Sequence, residues 1–273
     1  MNSDHEGRIV SKGKVYPYTF FSLNGTLADY STEKVHTHPF HQILMISEGV
    51  SMLVTETEKK PLYGSMCAFI PAGSAHRSIV VGSAVRYNSL YFADESREMD
   101  MIRVFSVSPL FRELFLRLSS ELSHVSSQEM QRECFSLLLR LLPEEMGNYF
   151  QLILPQAVSD NCKKISDYIE LNYARKLRLS DFCSVLPYCA KHISRLFFEE
   201  MSISIFEYIR MYRIFMASVL LQRERQGVLN TAYDCGYESI SSFYADFKKY
   251  FSVSPRDFIK LTRQTGNDLR KPE

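Results

Sequence analysis

The pattern of hydrophobic and polar positions changes along the chain, and its first part is typical of β-structure. Between residues 10 and 95, short apolar stretches alternate with polar positions and are separated by Gly, Pro, Asn or Lys clusters. The clearest stretches run from Gln42 to Ile46, from Val50 to Thr55 and from Arg86 to Phe92. Several short strands at even spacing predict a sandwich or a barrel.

After residue 100 the apolar residues recur at steps of three and four, which predicts amphipathic helices. Helices are expected at 109–122 and 129–142, within a connector of residues 100–146, and Pro143 is expected to end the second helix. Their apolar faces, which include Leu118 and Leu138, suit either a subunit interface or packing on the strands.

Composition and the positions of glycine and proline divide the chain into two domains. Gly147 and Pro155 mark residues 148–159 as the predicted linker. The first domain is therefore expected to span 1–147, and the second, helical throughout, 160–263. The sequence predicts an α+β protein whose N-terminal domain is a β-barrel followed by a helical connector.

The last hundred residues contain one block twice, offset by 50 positions. The run from Phe197 to Ile209 is echoed by the run from Phe247 to Ile259, with Phe, Ser, Ser and an aromatic-Ile pair in register. An apolar residue, Ile193 or Phe243, lies four positions before each shared Phe. Such i, i+4 pairs hold a helix against a core.

Each copy is preceded by the pattern of a helix-turn-helix. Cys183-x3-Pro187 parallels Ala232-x3-Gly236, which we interpret as a small buried residue followed by a turn residue. Ser180 is the expected N-cap of the first scaffold helix. One continuous helix over 208–222 is predicted to connect the units. Two such units can place recognition helices in successive major grooves of DNA.

The outward residues of the two second helices have the chemistry of DNA contacts. Cationic and hydroxyl side chains reach base edges and phosphates, and small residues allow close approach. In the first unit these are Lys191, Ser194 and Arg195; in the second they are Ser241, Ser242, Ala245 and Lys248.

These motifs resemble the signature of the AraC/XylS family of bacterial transcription regulators over residues 160–261. The matching residues are Arg213-x3-Ala217-x2-Leu220-Leu221, Ala232-x3-Gly236-Tyr237 and Ser242-Phe243-x3-Phe247-Lys248-Lys249-x2-Ser252-x-Ser254-Pro255. The resemblance implies double-stranded DNA as partner, with the seven residues above as base or phosphate contacts.

The chain departs from the family pattern at five positions. Pro187 stands at a usual glycine and Cys189 at a usual serine cap. Ser202 and Ser252 stand at the glycines that follow the two recognition helices, and Ala245 replaces a longer polar side chain.

In the β region, His36-Thr-His38, Gln42 and Pro71-Ala-Gly-Ser-Ala-His76 resemble the two motifs of a cupin barrel. On a strand, His36 and His38 would share one face. A facial metal site needs a carboxylate, and Gln42 stands in its place. We therefore expect no metal or cofactor, and interpret His36, His38, Gln42 and His76 as polar groups that orient a small effector.

Two alternatives to this interpretation stay open, namely metal held by the three imidazoles and histidines that only satisfy turns. Three other histidines, His41, His124 and His192, are interpreted as ordinary surface or helix residues.

Composition sets limits on partners and compartment. A net charge of +1 means that any basic face must be local. Six scattered cysteines without a Cys-x-x-Cys pair indicate reduced thiols in a cytoplasmic protein. The first residues lack the pattern of a signal peptide, and no apolar run has the length of a membrane span.

The sequence thus predicts an effector-responsive, cupin-type DNA-binding regulator that is not an enzyme. It would form homodimers and, as an activator, contact RNA polymerase. Two other classes remain: a cupin oxygenase or isomerase, resting on the histidines, and an interaction protein whose helical half has lost DNA contact.

Overall fold

The computed structural model describes residues 2–3, 9–11, 14–16, 20–28, 34–64, 66–81, 84–93, 101–119, 127–147, 152–223 and 227–260. The described residues group into two compact units. The first contains those up to Leu53 and from Leu62 to residue 147. The second contains Val54–Pro61 and the residues from 152 onward. The predicted domain boundaries and linker stay a prediction.

Twelve strands lie in the described part of the chain, in three sheets. They are β1 Asn2–Ser3, β2 Ile9–Ser11, β3 Lys14–Tyr16, β4 Phe20–Ala28, β5 His41–Glu48, β6 Val50–Val54, β7 Glu58–Tyr63, β8 Met66–Ile70, β9 Arg77–Val80, β10 Ala84–Phe92, β11 Arg103–Ser106 and β12 Leu154–Pro155. The sheet orders are β1-β2-β3, β11-β8-β5-β10-β4 and β12-β7-β6-β9. Every pair in the five-stranded sheet is antiparallel.

The five-stranded sheet uses its two faces differently, because side chains alternate along each strand. On β5, Ile43 and Met45 join an apolar core on one face, whereas Gln42 and Leu44 line a cavity on the other. Two helices, α1 Pro109–Ser119 and α2 Gln128–Gly147, cover the core face and contribute Phe111, Phe115, Leu118, Phe135, Leu138, Leu142 and Met146.

This packing settles several predictions about the connector. The apolar face of α1 and α2 packs on the strands, as one of the two alternatives proposed; Leu122 lies outside the described residues. Pro143 does not end α2, which continues to Gly147 because Met146, one turn further, is still buried in the same core. The connector is not helical throughout, since Arg103–Ser106 pair as a strand with β8.

The second unit is mainly helical. Its helices are α3 Asp160–Asn172, a 3₁₀ helix Leu179–Ser184, α4 Ala190–Met201, α5 Ile205–Arg223, α6 Val228–Asp234 and α7 Ile240–Phe251, and residues 255–260 are helical. The single connecting helix predicted between the repeats is confirmed as α5. The short strand β12 pairs with β7 of Val54–Pro61.

Two local predictions about the first helix-turn-helix are wrong. Ser180 is not an N-cap: the 3₁₀ helix is capped at Arg178, whose backbone N–H donates to Asp181 Oδ2 at 2.8 Å. Cys183 is exposed, and Phe182 is the buried residue instead. Phe182 is 50 positions before buried Ala232, so the repeat keeps one offset throughout.

The two copies of the repeat fold alike around their shared aromatic residues. Phe197 meets Tyr208 edge to face at 5.7 Å between ring centroids, and Phe247 meets Phe258 in the same way at 5.3 Å. All four side chains are buried. Such pairs add about 0.5–1.5 kcal/mol beyond simple burial.

The predicted α+β architecture is therefore confirmed: a β-rich N-terminal part is followed by an all-helical part that carries two helix-turn-helix units. Hereafter the first reader unit is Leu179–Met201 and the second reader unit is Val228–Phe251. No helix in the described part of the chain is long and apolar enough to cross a membrane.

Candidate ligand pocket and DNA-reading helices

A cavity lies in the first unit. It has a volume of about 90 Å³, well above the roughly 15 Å³ that one water needs by the same kind of measure. Strands β5, β6, β9 and β10 line it with alternating residues. Polar members of the lining are His36, Gln42, Ser51, His76, Ser78, Tyr87, Ser89 and Tyr91; apolar ones are Leu44, Ile46, Val80 and Val85.

His36 and His76 meet at one end of this cavity. Their backbones form an isolated antiparallel bridge, with N···O distances of 3.0 and 3.1 Å, and their rings lie 4.5 Å apart. His38 lies 5.1 Å from the His76 ring. The three histidines therefore converge as predicted, although His36 and His38 are not on a strand: His36 forms only an isolated bridge.

His38 and Ser89 hold the side chain of Gln42 between them. His38 Nε2 lies 3.0 Å from Gln42 Oε1, and Gln42 Nε2 lies 3.0 Å from Ser89 Oγ. His38 Nδ1 lies 2.6 Å from the Phe40 carbonyl, which only accepts, so Nδ1 carries a proton. Burial lowers the pKa of His38, against hydrogen bonds to Gln42 and Phe40, and favours the neutral ring.

A neutral His38 fixes how the Gln42 amide is oriented. With its proton on Nδ1, His38 offers a lone pair at Nε2, which requires a donor and repels an amide oxygen. The Gln42 amide must then be turned by 180°, so that its NH2 group faces His38. The amide oxygen and nitrogen have nearly the same shape, so the hydrogen-bond network decides which of them faces the ring. Its oxygen consequently accepts from the Ser89 hydroxyl.

His76 presents a hydrogen-bond acceptor to the cavity. Its Nδ1 donates to the Ser74 carbonyl at 2.9 Å. Burial lowers the pKa of His76 to about 4, partly opposed by that hydrogen bond, because a charged imidazole loses solvation there. The ring is neutral near pH 7, and its Nε2 is left as an acceptor.

The four predicted effector residues thus divide into two groups. His36, Gln42 and His76 line the cavity, whereas His38 stands behind Gln42 and positions it. In the described part of the chain, no group of three or more His, Cys, Asp or Glu side chains is arranged to hold a metal ion.

The prediction for His41 is wrong. His41 is buried on the core face of β5, where its ring stacks on Phe69 at 5.5 Å and its Nδ1 accepts from the Ala72 N–H at 3.3 Å. It precedes Gln42 by one residue, and so points to the opposite face. His192 lies on α4 as expected, and His124 lies outside the described residues.

Sequence reasoning missed the β10 side of the pocket. Tyr87, Ser89 and Tyr91 alternate with residues of the opposite face, such as buried Leu90 and Phe92. The available signal was the period-two recurrence of hydroxyl-bearing side chains at Tyr87, Ser89 and Tyr91.

In the first reader unit, α4 presents its predicted contacts to solvent. Lys191 and Arg195 are exposed and Ser194 is half-buried, while Ile193 and Phe197 face the core. Arg195 makes only weak local contacts, to Glu199 at 3.7 Å and to His192 Nδ1 at 3.2 Å. An exposed pair of this kind is worth at most about 1 kcal/mol, so it holds the guanidinium only weakly.

In the second reader unit, α7 exposes Ser241, Ser242, Ala245 and Lys248. Its N-cap is Ser239, although the serine hydroxyl makes no capping hydrogen bond. Lys248 makes no ion pair within the described residues, whereas the neighbouring Lys249 donates to Glu207 at 2.7 Å. Of the two lysines at this helix end, Lys248 is therefore the one that no carboxylate of the described residues engages.

The turn of the second reader unit is fixed by its close approach to the chain after α3. Gly236 has φ +79, and a Cβ at this position would lie 2.6 Å from the Ala174 carbonyl oxygen. Arg213 of α5 donates to the carbonyls of Tyr173 and Arg175 at 2.8 and 2.9 Å, and its guanidinium lies over the Tyr237 ring. These contacts hold the second turn against α5.

Comparison with known proteins gives two family matches. An AraC-like ligand binding domain matches residues 20–154, and a helix-turn-helix domain matches residues 182–261. Together they cover most of the chain, in the order that the two units have. The chain belongs to the AraC/XylS family. It is a transcription regulator with an N-terminal ligand-binding domain and a C-terminal DNA-binding domain.

Relatives of this AraC/XylS protein match it over most of its length. The HTH-type transcriptional activator RhaR of Mannheimia succiniciproducens is 24% identical over 246 residues, which cover 82% of this chain and 86% of the relative. The HTH-type transcriptional regulator NimR of Escherichia coli is 23% identical, with 90% and 89% covered. A crystal structure of ToxT from Vibrio cholerae matches 90% of this chain and 96% of ToxT at 14% identity, with a TM-score of 0.38.

Proposed function

We propose that α4 and α7 are the two DNA-reading helices of this regulator, with Lys191, Ser194, Arg195, Ser241, Ser242, Ala245 and Lys248 at the interface. The exposure of all these side chains except half-buried Ser194, on helices whose opposite faces are buried, supports the proposal. Arg and Lys are the side chains that read guanine best, whereas Ser adapts to either base and Ala reads none. The first reader unit accordingly supplies base discrimination, and the second supplies close approach and a phosphate anchor at Lys248.

The test is a footprint of the full-length protein on the DNA upstream of its own gene. Two protected segments about one helical turn apart are expected, because the two helices enter successive major grooves. Affinity should fall steeply as salt rises, since each phosphate contact releases counterions. Protection of a single segment, or binding that salt does not weaken, would contradict the proposal.

For the ligand pocket we infer a small organic effector rich in hydroxyl groups. The neutral His76 offers an acceptor, and hydroxyls of Ser51, Ser78 and Ser89 lie along the same cavity. Ligand hydroxyls can donate to the imidazole and to the serine oxygens, whereas a cation would find no carboxylate in the lining. Leu44 and Ile46 provide the apolar wall that a carbon skeleton needs.

Thermal melting of the full-length protein with a panel of sugars, polyols and hydroxy acids tests this inference. A true effector at about 100 times its Kd stabilises by about 2.7 kcal/mol. Gln42→Ala should remove that shift, because the amide lines the cavity. Ser47→Ala is the matched control: its hydroxyl bonds the Arg86 carbonyl outside the cavity and should leave the shift intact. A shift that survives Gln42→Ala places the ligand elsewhere.

We infer further that the protein has no catalytic activity of its own, as the relatives named above are regulators. Homodimer formation and contact with RNA polymerase belong to the same proposal. Exposed apolar residues on α1 and α2, among them Leu110, Met130 and Leu137, support a subunit contact there. Sedimentation of the full-length protein measures the association, and Met130→Glu should weaken it if that surface is used.

A further inference from the structure

The repeat places a carboxylate at the same position in both copies, but the two side chains have different partners. One bonds residues of its own helix end, and the other bonds a different helix. Glu207 and Asp257 are 50 residues apart, and each follows a capping serine, Ser204 or Ser254, by three positions. Both serines accept the backbone N–H of that acid, at 3.1 and 3.2 Å. A serine followed three residues later by an acid predicts a local cap in both copies.

Asp257 behaves as that pattern predicts. Its Oδ2 accepts from the Ser254 hydroxyl at 2.6 Å, and it forms a distant ion pair with Lys260, one turn further, at 3.7 Å. Its side chain is 57% exposed. Among the described residues, these polar contacts of the Asp257 side chain lie within its own helix end.

The side chain of Glu207 instead reaches the second reader unit. Its Oε1 accepts from Lys249 Nζ at 2.7 Å and from the Tyr250 hydroxyl, and its Oε2 pairs with Arg210. Lys249 and Tyr250 belong to the last turn of α7, whereas Glu207 lies in the first turn of α5. The Glu207 side chain is only 20% exposed, about a third of the value for Asp257.

We propose that Glu207 sets the position of α7 relative to α4, and thereby the spacing between the two DNA segments that the protein can bind at once. This rests on the proposed function of the two helices as readers. Only residues 202–204 separate α4 from α5, so Glu207 moves with the C-terminal end of α4. Lys249 and Tyr250 move with the C-terminal end of α7, and the carboxylate joins the two ends.

The contacts have the chemistry of a firm link. Tyr250 is buried, so its hydroxyl would lose a needed partner without the carboxylate. Desolvation raises the pKa of Glu207, but hydrogen bonds from Lys249, Tyr250 and Arg210 outweigh it and lower that pKa to about 2. The link is therefore charged, and charge-assisted hydrogen bonds are about twice as strong as neutral ones.

A purely electrostatic role makes the opposite prediction for DNA binding. Removing a negative charge beside Lys249 and Arg210 would free two cations for phosphates and raise affinity for any DNA. A positioning role instead weakens only the binding that requires both helices at once. The two roles therefore differ in sign and in their dependence on operator spacing.

The experiment measures affinities of full-length proteins for the footprinted operator and for versions with one base pair added or removed between the protected segments. One base pair shifts the second segment by about 3.4 Å and about a tenth of a turn. The variants are Glu207→Gln, which keeps the shape of the side chain, and Tyr250→Phe, which removes only the hydroxyl. Asp257→Asn is the matched control, since it removes the same charge at the equivalent position. Melting curves confirm that each variant folds.

Glu207→Gln and Tyr250→Phe should each lose about three- to tenfold in affinity at the natural spacing, the range of a charged hydrogen bond shared among several contacts. They should lose much less at the altered spacings, so that the preference for one spacing flattens. Asp257→Asn should keep the wild-type preference. Equal changes at all spacings, or higher affinity throughout, would overturn the proposal while leaving the two readers in place. If the wild-type protein protects no pair of segments, the reading function itself fails.

Discussion

The two reader units share their buried packing and differ in the side chains that they expose. In both, a buried Phe at the same repeat position packs on an aromatic ring 11 residues later, and a serine in left-handed conformation ends the helix. The exposed faces differ. The first helix carries Lys191 and Arg195 near its start and Glu199 and Glu200 at its end, whereas the second carries small hydroxyls near its start and two lysines at its end.

This difference separates the requirements of folding from those of DNA reading. Positions that hold the helix in place tolerate little change, and both copies keep them. The exposed positions that we propose to face DNA differ between the copies, since base discrimination and phosphate contact need different side chains. The two capping acids differ as well. Asp257 bonds within its own helix end, whereas Glu207 bonds residues of α7.

The largest expected effect concerns the turn of the second reader unit, where Gly236 lies. Gly236→Ala should destabilise the protein by about 2–4 kcal/mol, because the new Cβ meets the Ala174 carbonyl and the residue has a positive φ. Chemical denaturation of the full-length protein measures this change.

Gly227→Ala is the control for that substitution. It has open space around its Cβ position and φ −70, and should cost less than about 1 kcal/mol as a change at an N-cap. Equal costs for the two glycines would show that the second turn does not depend on its fit against the chain after α3.

The next effect tests the division of work on DNA. Arg195→Ala should cost about 1–3 kcal/mol in operator affinity and abolish preference at one base pair. Lys248→Ala should weaken all sequences alike and reduce the salt dependence by about one counterion. Quantitative binding over a series of salt concentrations distinguishes the two. Both variants losing base preference would remove the proposed asymmetry.

The smallest effect tests what the units share. Ser202 and Ser252 end α4 and α7 with φ 56 and 57, a conformation that favours glycine. Ser202→Gly and Ser252→Gly should each stabilise the protein by about 0.5–1 kcal/mol. A gain at one site alone would mean that the two helix ends are not equivalent.

The helical half could be predicted from sequence in some detail, because its signals are local and repeated. Phe247 and Ser252 repeat Phe197 and Ser202, so each copy supports the assignment of the other. The error at Cys183 arose where this support was weakest, because the first turn contains Pro187 in place of glycine. A pattern of two residues four positions apart then fitted equally well one position out of register.

The pocket was less accessible from sequence, since it depends on which strands pair. His36, Gln42 and His76 were found because their motifs are compact. Ser89 was missed because it lies 47 residues from Gln42 and meets it only through the pairing of β5 with β10. For His41, one step along a strand decided between cavity and core, and residue type alone could not show which neighbour faced inward.

The central claim, that the first reader unit discriminates bases and the second mainly anchors, has one direct test. Every base pair of the footprinted operator is changed in turn, and the affinity of the full-length protein is measured for each change. The segment in which Arg195→Ala abolishes preference marks the first reader unit. Changes there should cost about 1–3 kcal/mol each, the range for a lost side-chain contact to a base. Changes in the other segment should cost clearly less. Equal or larger costs in the segment of α7 would contradict the account.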